Sequence, residues 1–157
     1  MSLKGESFLS LCGGIGALFN GSGRLAWGLL SDVIGFKKSY TILTLFQTVS
    51  MLTYEHSTVS KATFMANTCA LFFCLAGNLA LMPSAVQRMF GPASGATVYG
   101  FFFSAFAVAS ICGGFLTKSL AATFGWGIVF KSMAVMSLLA TTLNTKLAPL
   151  TASYSAV

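Results

Sequence analysis

Apolar positions along the chain gather into long uncharged runs instead of alternating with polar ones. Such runs occupy residues 62–87 and 89–117, with shorter ones at 7–23, 39–54 and 132–145. A helix that crosses a membrane needs about 20 mostly apolar residues. The first run reaches that length only by carrying Arg24 inside it. The second must start near Lys38 or extend through Glu55, and the last must include Lys131. The pattern therefore predicts five membrane-spanning helices, at 8–30, 39–56, 62–83, 96–117 and 126–146. The two-residue alternation of a transmembrane β-strand is missing from these runs.

Turn chemistry falls between the runs. "SDVIGFKKS" is polar and contains Gly35, and "EHSTVSKA" is short and polar. "PSAVQRMFGPASG" holds two prolines and two glycines with Arg88 among them, and "LAATFGWG" reads as a tight turn. The tail, 147–157, is expected to be loosely ordered. Neither an internal repeat nor a low-complexity segment divides the chain, so 1–157 reads as one domain. Two stripes of small residues, Gly13-Ala17-Gly21 and Ala105-Ala109-Gly113, are expected to let neighbouring helices approach closely.

Composition strengthens the membrane reading. Hydrophobic residues make up 55% of the chain and charged ones 8%, against roughly 25% charged in a soluble domain. A soluble fold of this size could not cover its surface with so few charges. The chain is thus expected to be an all-α, multi-pass integral membrane protein whose surroundings are the lipid bilayer. Its net charge of +6 comes from scattered basic residues, with Lys37-Lys38 the only close pair. That is too sparse to track phosphates, so no nucleic-acid partner is implied. With an odd number of spans, Lys37, Lys38, Arg88 and Lys146 share one side, and Lys4, Lys61 and Lys118 the other. Four against three is only a weak orientation bias.

Catalytic chemistry is not suggested. Cys12, Cys69, Cys74 and Cys112 all lie in apolar stretches without a CxxC pair and read as small hydrophobes. His56 stands by itself beside Glu55, so neither a metal site nor a cofactor is expected. Paired intramembrane carboxylates and a Ser/His/Asp set are lacking. "GGIG" and "GSG" are glycines inside an apolar span, not a phosphate loop. Lys4 and the run after it imitate a signal peptide, but no convincing cleavage site precedes Leu30.

Arg24 is the exceptional residue. It precedes Asp32 by eight positions, ~12 Å along a helix. A charge within the membrane costs at least ~2.5 kcal/mol and normally faces a protein interior or a watery cavity. Asn20, Arg24, Gly28 and Ser31 fall on one helical face. The guanidinium is always protonated, and its fork of donors suits a carboxylate. Two readings stand: an anion-binding group on a polar pathway, or an arginine that stretches to the interface or bonds carbonyls of a neighbouring helix. Lys131 is expected to snorkel to the outer surface. Asn67, Cys74 and Asn78 share a face that either lines a cavity or bonds another helix.

"GLLSDVIGFKK", Gly28 to Lys38, resembles the signature loop of the major facilitator superfamily. That loop has a glycine, an aspartate four residues on, a glycine three further, then basic residues. Gly28, Asp32, Gly35, Lys37 and Lys38 fit, while Val33 and Phe36 stand where basic residues are usual. Weaker gating contacts are implied. "LMPSAVQRMFGPASGATVYGFFFSAFAVASICGG" is similar to the segment joining the tenth and eleventh helices in the oxalate/formate antiporter and monocarboxylate carrier branch. Pro83, Phe90, Gly91, Gly95, Tyr99 and Gly100 carry that match. "FNGSGRLAWGLLSD" resembles the eighth helix of the same branch, and 119–157 matches only in general character.

The resemblance implies a twelve-helix fold in two six-helix halves. The five spans would be helices eight to twelve, a partial C-terminal six-helix bundle. The N-terminal half and one further helix would be missing partners, and the chain a fragment not expected to transport unaided. In that branch the arginine of the eighth helix binds the substrate carboxylate, the place Arg24 would take, with Asn20 and Tyr99 as further candidate contacts. Oxalate-type members carry a lysine in an alanine-lysine-alanine triplet, here Ala105-Phe106-Ala107. A single remaining cation implies a monocarboxylate or another small organic monoanion, moved by alternating access. The competing expectation is a truncated, non-transporting membrane protein or a subunit that packs against other helices.

Overall fold

A computed structural model describes residues 6–146; the tail assigned to 147–157 lies outside the described residues. Five helices follow one another: α1 (Glu6–Ile34), α2 (Phe36–Ser57), α3 (Lys61–Gly91), α4 (Ala93–Phe124) and α5 (Trp126–Lys146). Three of the four joints turn at a glycine with positive φ, at Gly35 (83°), Gly91 (75°) and Gly125 (81°). Each has ψ near the extended value (157°, 170° and 166°), a region essentially open to glycine alone. The α2–α3 joint is built differently. Ser60 accepts a bond from the Ala62 amide, and Thr63 Oγ1 donates back to the Ser57 carbonyl at 2.8 Å.

The expected long turn at 83–95 is mostly helix. Pro83 is absorbed within α3, and the chain breaks only at Gly91. A proline removes one backbone donor, but a helix among other helices tolerates that loss better than a solvated one.

Among the described residues, three helices are long and apolar enough to cross a membrane: α3, α4 and α5. The first two differ from expectation in apolarity, not in length, at 29 and 22 residues. The reason in α2 is a row of hydroxyls turned toward other helices: Ser39, Thr44, Thr48 and Ser50 are all buried.

α1 and α3 run parallel. Phe8 meets Phe64, Gly16 meets Phe72 and Asp32 meets Arg88, each pair 56 positions apart. The contact face of α1 is Cys12, Gly16, Gly23, Trp27 and Ser31. The expected stripe is therefore misplaced: Gly13, Ala17 and Gly21 are exposed, and Gly13 and Gly21 have open space around them. The second stripe, on α4, is not packed against another helix within the described residues. Ala105 and Ala109 are exposed, a Cβ added at the half-buried Gly113 would meet nothing within 4 Å, and no residue of the helix's most apolar window is buried.

The core is small: Trp27, Leu43, Cys74 and Leu81, flanked by Leu30, Phe36, Tyr40 and Phe73. Trp27 Nε1 donates to the Phe73 carbonyl at 3.1 Å, which fixes the indole between α1 and α3. Antiparallel α2 and α5 share a polar seam. Thr141 Oγ1 lies 2.8 Å from Thr44 Oγ1, Ser137 Oγ donates to the Thr44 carbonyl at 3.0 Å, and Asn144 donates to the Lys37 carbonyl and Thr41 Oγ1 at 2.9 Å each. Where lipid offers no hydrophobic drive, such bonds help to hold helices together.

Candidate functional site

Arg24 directly follows Gly23, whose missing side chain lets α1 close onto Phe73 and Ala76 of α3. The register that buries Gly23 and Trp27 leaves Arg24 exposed, about 100° round the helix from Gly23. Among the described residues, its guanidinium forms neither a hydrogen bond nor an ion pair.

The reason lies in the supply of carboxylates. The chain contains three acidic side chains, Glu6, Asp32 and Glu55. Asp32 accepts from Arg88 at 3.3 Å, and Glu55 lies 3.6 Å from Lys131. Glu6 is 18 residues before Arg24 on the same helix, ~27 Å along the axis. No acidic side chain of this protein is thus placed to neutralise Arg24.

The other candidate contacts are arranged differently. Asn20 is half-buried and donates its amide to the Phe72 carbonyl at 3.3 Å, so it ties α1 to α3. Tyr99 begins a ladder of rings along α4, 5.7 Å from Phe103, which is 5.8 Å from Phe106. Among the described residues, Arg24, Asn20 and Tyr99 are not joined to one another by a hydrogen bond. Asn67 and Asn78 face α2: Asn67 donates to the Ser50 carbonyl at 3.2 Å, and Asn78 to Gln47 Oε1 at 3.1 Å. The inter-helix reading of that face fits the geometry.

The loop motif assembles around Gly35, whose positive φ lets α2 start one residue after α1 ends. Ser39 Oγ donates to the Gly35 carbonyl at 3.0 Å, and the Lys37 carbonyl receives Asn144 of α5. Gly28 is half-buried and Lys38 exposed. Arg88, read from sequence only as a loop cation, closes the motif by pairing with Asp32. Both side chains are more than half exposed, 54% and 70%, so the pair contributes at most ~1 kcal/mol. It nevertheless links the end of α1 to the end of α3. Beside it, the buried Ser31 hydroxyl has no partner among the described residues. Lys131 is exposed, and Glu55 of α2 sits against it. Among the described residues, no cluster of three or more His, Cys, Asp or Glu side chains could hold a metal ion.

Helices joined by glycine breaks, three of them long and apolar enough to cross a membrane, are features of a multi-helix membrane protein. Residues 3–156 match the sequence model of the Major Facilitator Superfamily, and the chain belongs to that family. It is 38% identical over 140 residues to the oxalate:formate antiporter of Oxalobacter formigenes, covering 84% of this chain and 32% of that protein. It is also 35% identical over 123 residues to the apicoplast pyruvate carrier 1 of Toxoplasma gondii, covering 76% of this chain and 22% of the carrier. The chain therefore spans a third or less of the length of these curated relatives.

Proposed function

We propose that this chain is the C-terminal part of a secondary active transporter for small organic anions such as monocarboxylates. Arg24 holds the substrate carboxylate. The observation that carries this reading is the cation with no acid to pair with: all three acidic side chains are engaged or out of reach. A permanently charged guanidinium in a membrane helix needs water or an anion beside it. The two relatives support the choice of anion, because their names refer to oxalate, formate and pyruvate. Phe106 replaces the second cation of oxalate-type members by resemblance, which favours a monoanion. Asn20 and Tyr99 flank the substrate, with Tyr99 entering from α4 as the cavity closes.

In this reading α1 to α5 all cross the membrane and correspond to the last five of twelve helices. Much of the polar content of α2 is turned toward other helices, as its buried hydroxyls illustrate. The uncovered length of α4 faces the missing half of the transporter. Gly28, Asp32, Gly35, Lys37 and Lys38 form a gating loop latched by Arg88, and alternating access arises when the two halves rock about the midplane.

The test is solvent access at position 24. Arg24→Cys is made in a Cys112→Ser background, since Cys112 is exposed while Cys12, Cys69 and Cys74 are buried. The transporter containing this chain is then treated with membrane-impermeant thiol reagents from each side. Labelling of the cysteine at position 24 from either side supports the proposal. Protection from both sides supports the competing reading, a non-transporting protein whose helices merely pack against others.

A further inference from the structure

A second polar site lies where α2 ends and α5 begins. A cavity of about 750 Å³ is lined there by Tyr54, Glu55, Phe64, Trp126, Phe130 and Lys131. Its aromatic wall is tightly built, with the Tyr54 ring 4.4 Å from Phe130 and 5.7 Å from Phe64. Its rim carries one cation and one anion. Lys131 Nζ and Glu55 Oε2 are 3.6 Å apart, longer than a good hydrogen bond, and the side chains are 65% and 52% exposed. Gly127 keeps this arrangement open, because a Cβ there would lie 2.8 Å from both Glu55 oxygens. Of its lining residues, Phe124, Trp126 and Ile128 present uncovered apolar side chains.

We infer that this cavity binds the headgroup of a zwitterionic phospholipid. An amphipathic ring such as Trp126 or Tyr54 belongs at headgroup depth. A loosely paired lysine and glutamate offer a partner to each half of the headgroup, Lys131 to the phosphate and Glu55 to the ammonium. Aromatic faces also attract ammonium groups. The uncovered apolar residues alongside suit the acyl chains, which a soluble zwitterion lacks. This inference rests on the chain's membrane location and is independent of what Arg24 binds.

The full chain is purified in micelles and exposed to equal amounts of phosphatidylethanolamine, phosphatidylcholine and phosphatidylglycerol with identical oleoyl tails. Retained lipid is counted by native mass spectrometry, with helicity checked by circular dichroism. The two zwitterionic lipids should be retained about fivefold over the anionic one, the scale of one charge at a membrane surface. Glu55→Gln should reverse that order toward phosphatidylglycerol, a change of selectivity that loss of structure cannot produce. Equal retention of all three lipids, or an unchanged order in Glu55→Gln, overturns the inference. So does displacement of the lipid by an equal concentration of free phosphoethanolamine, which would assign the cavity to a soluble zwitterion.

Discussion

Gly77 offers a direct test of how the helices close on one another. A Cβ at this position would lie 2.7 Å from Leu43 Cδ1, 3.0 Å from Leu43 Cδ2 and 2.9 Å from Trp27 Cδ1. Neither neighbour has room to give. Leu43 is fully buried, and Trp27 is 4% exposed and pinned by its bond to the Phe73 carbonyl. Overpacking of this kind typically costs about 1–3 kcal/mol. Gly→Ala within a helix also returns up to about 1 kcal/mol of helix propensity in water, which would obscure the steric effect in one variant. The comparison is therefore Gly77→Ala against Gly13→Ala, since Gly13 is also helical but has nothing within 4 Å. The propensity contributions largely cancel, leaving the clash. Reversible unfolding in mixed micelles, followed by tryptophan fluorescence, should find Gly77→Ala less stable by about 1–3 kcal/mol, or roughly 5- to 150-fold in the unfolding constant. Equal stabilities of the two variants would refute the tight meeting of α1, α2 and α3 at this point.

Three further outcomes are expected. Gly35→Ala, forced to φ 83°, should destabilise the chain by about 1–3 kcal/mol in the same assay, and an unchanged midpoint would contradict the one-residue joint. Thr141→Val removes its seam bond to Thr44 Oγ1, along with an intrahelical bond to the Ser137 carbonyl. It should cost about 0.6 kcal/mol, the average for polar pairs between membrane helices, and no change would mean that the Thr141–Thr44 bond contributes nothing. A double-mutant cycle of Asp32→Asn and Arg88→Gln should give a coupling below about 1 kcal/mol, because both groups are exposed; a larger value would show that something covers the pair.

The uncharged runs made the five helices legible, because a membrane segment must keep charges out over its full length. Gly35 and Gly125 were legible as breaks, each lying between two runs. The break at Gly91 was blurred over 13 residues, 83–95, because Pro83 punctuates a soluble chain but sits inside α3 here. The packing face of α1 could not be read. Glycines at 13, 14, 16, 21 and 23 spread over about half of that helix's circumference, and only the positions of Phe72, Phe73 and Ala76 select Gly16 and Gly23. Partners far apart in sequence were equally hidden: Asp32 and Arg88 are 56 positions apart, and Asn144 and Lys37 are 107. Arg24 was conspicuous from the outset, whereas the reason it stands unneutralised emerged only when Asp32 and Glu55 were seen to have other partners.

Monocarboxylate exchange by proteoliposomes carrying the complete transporter tests the role of Arg24 most directly. Arg24→Gln keeps a polar side chain but removes the charge, and Arg24→Lys keeps the charge but loses the fork. Loss of a hydrogen bond to a charged group corresponds to at least about a tenfold weaker interaction. Exchange should therefore fall at least about tenfold in Arg24→Gln and recover in part in Arg24→Lys. Exchange by Arg24→Gln at the unsubstituted rate would contradict the claim that this guanidinium holds the substrate.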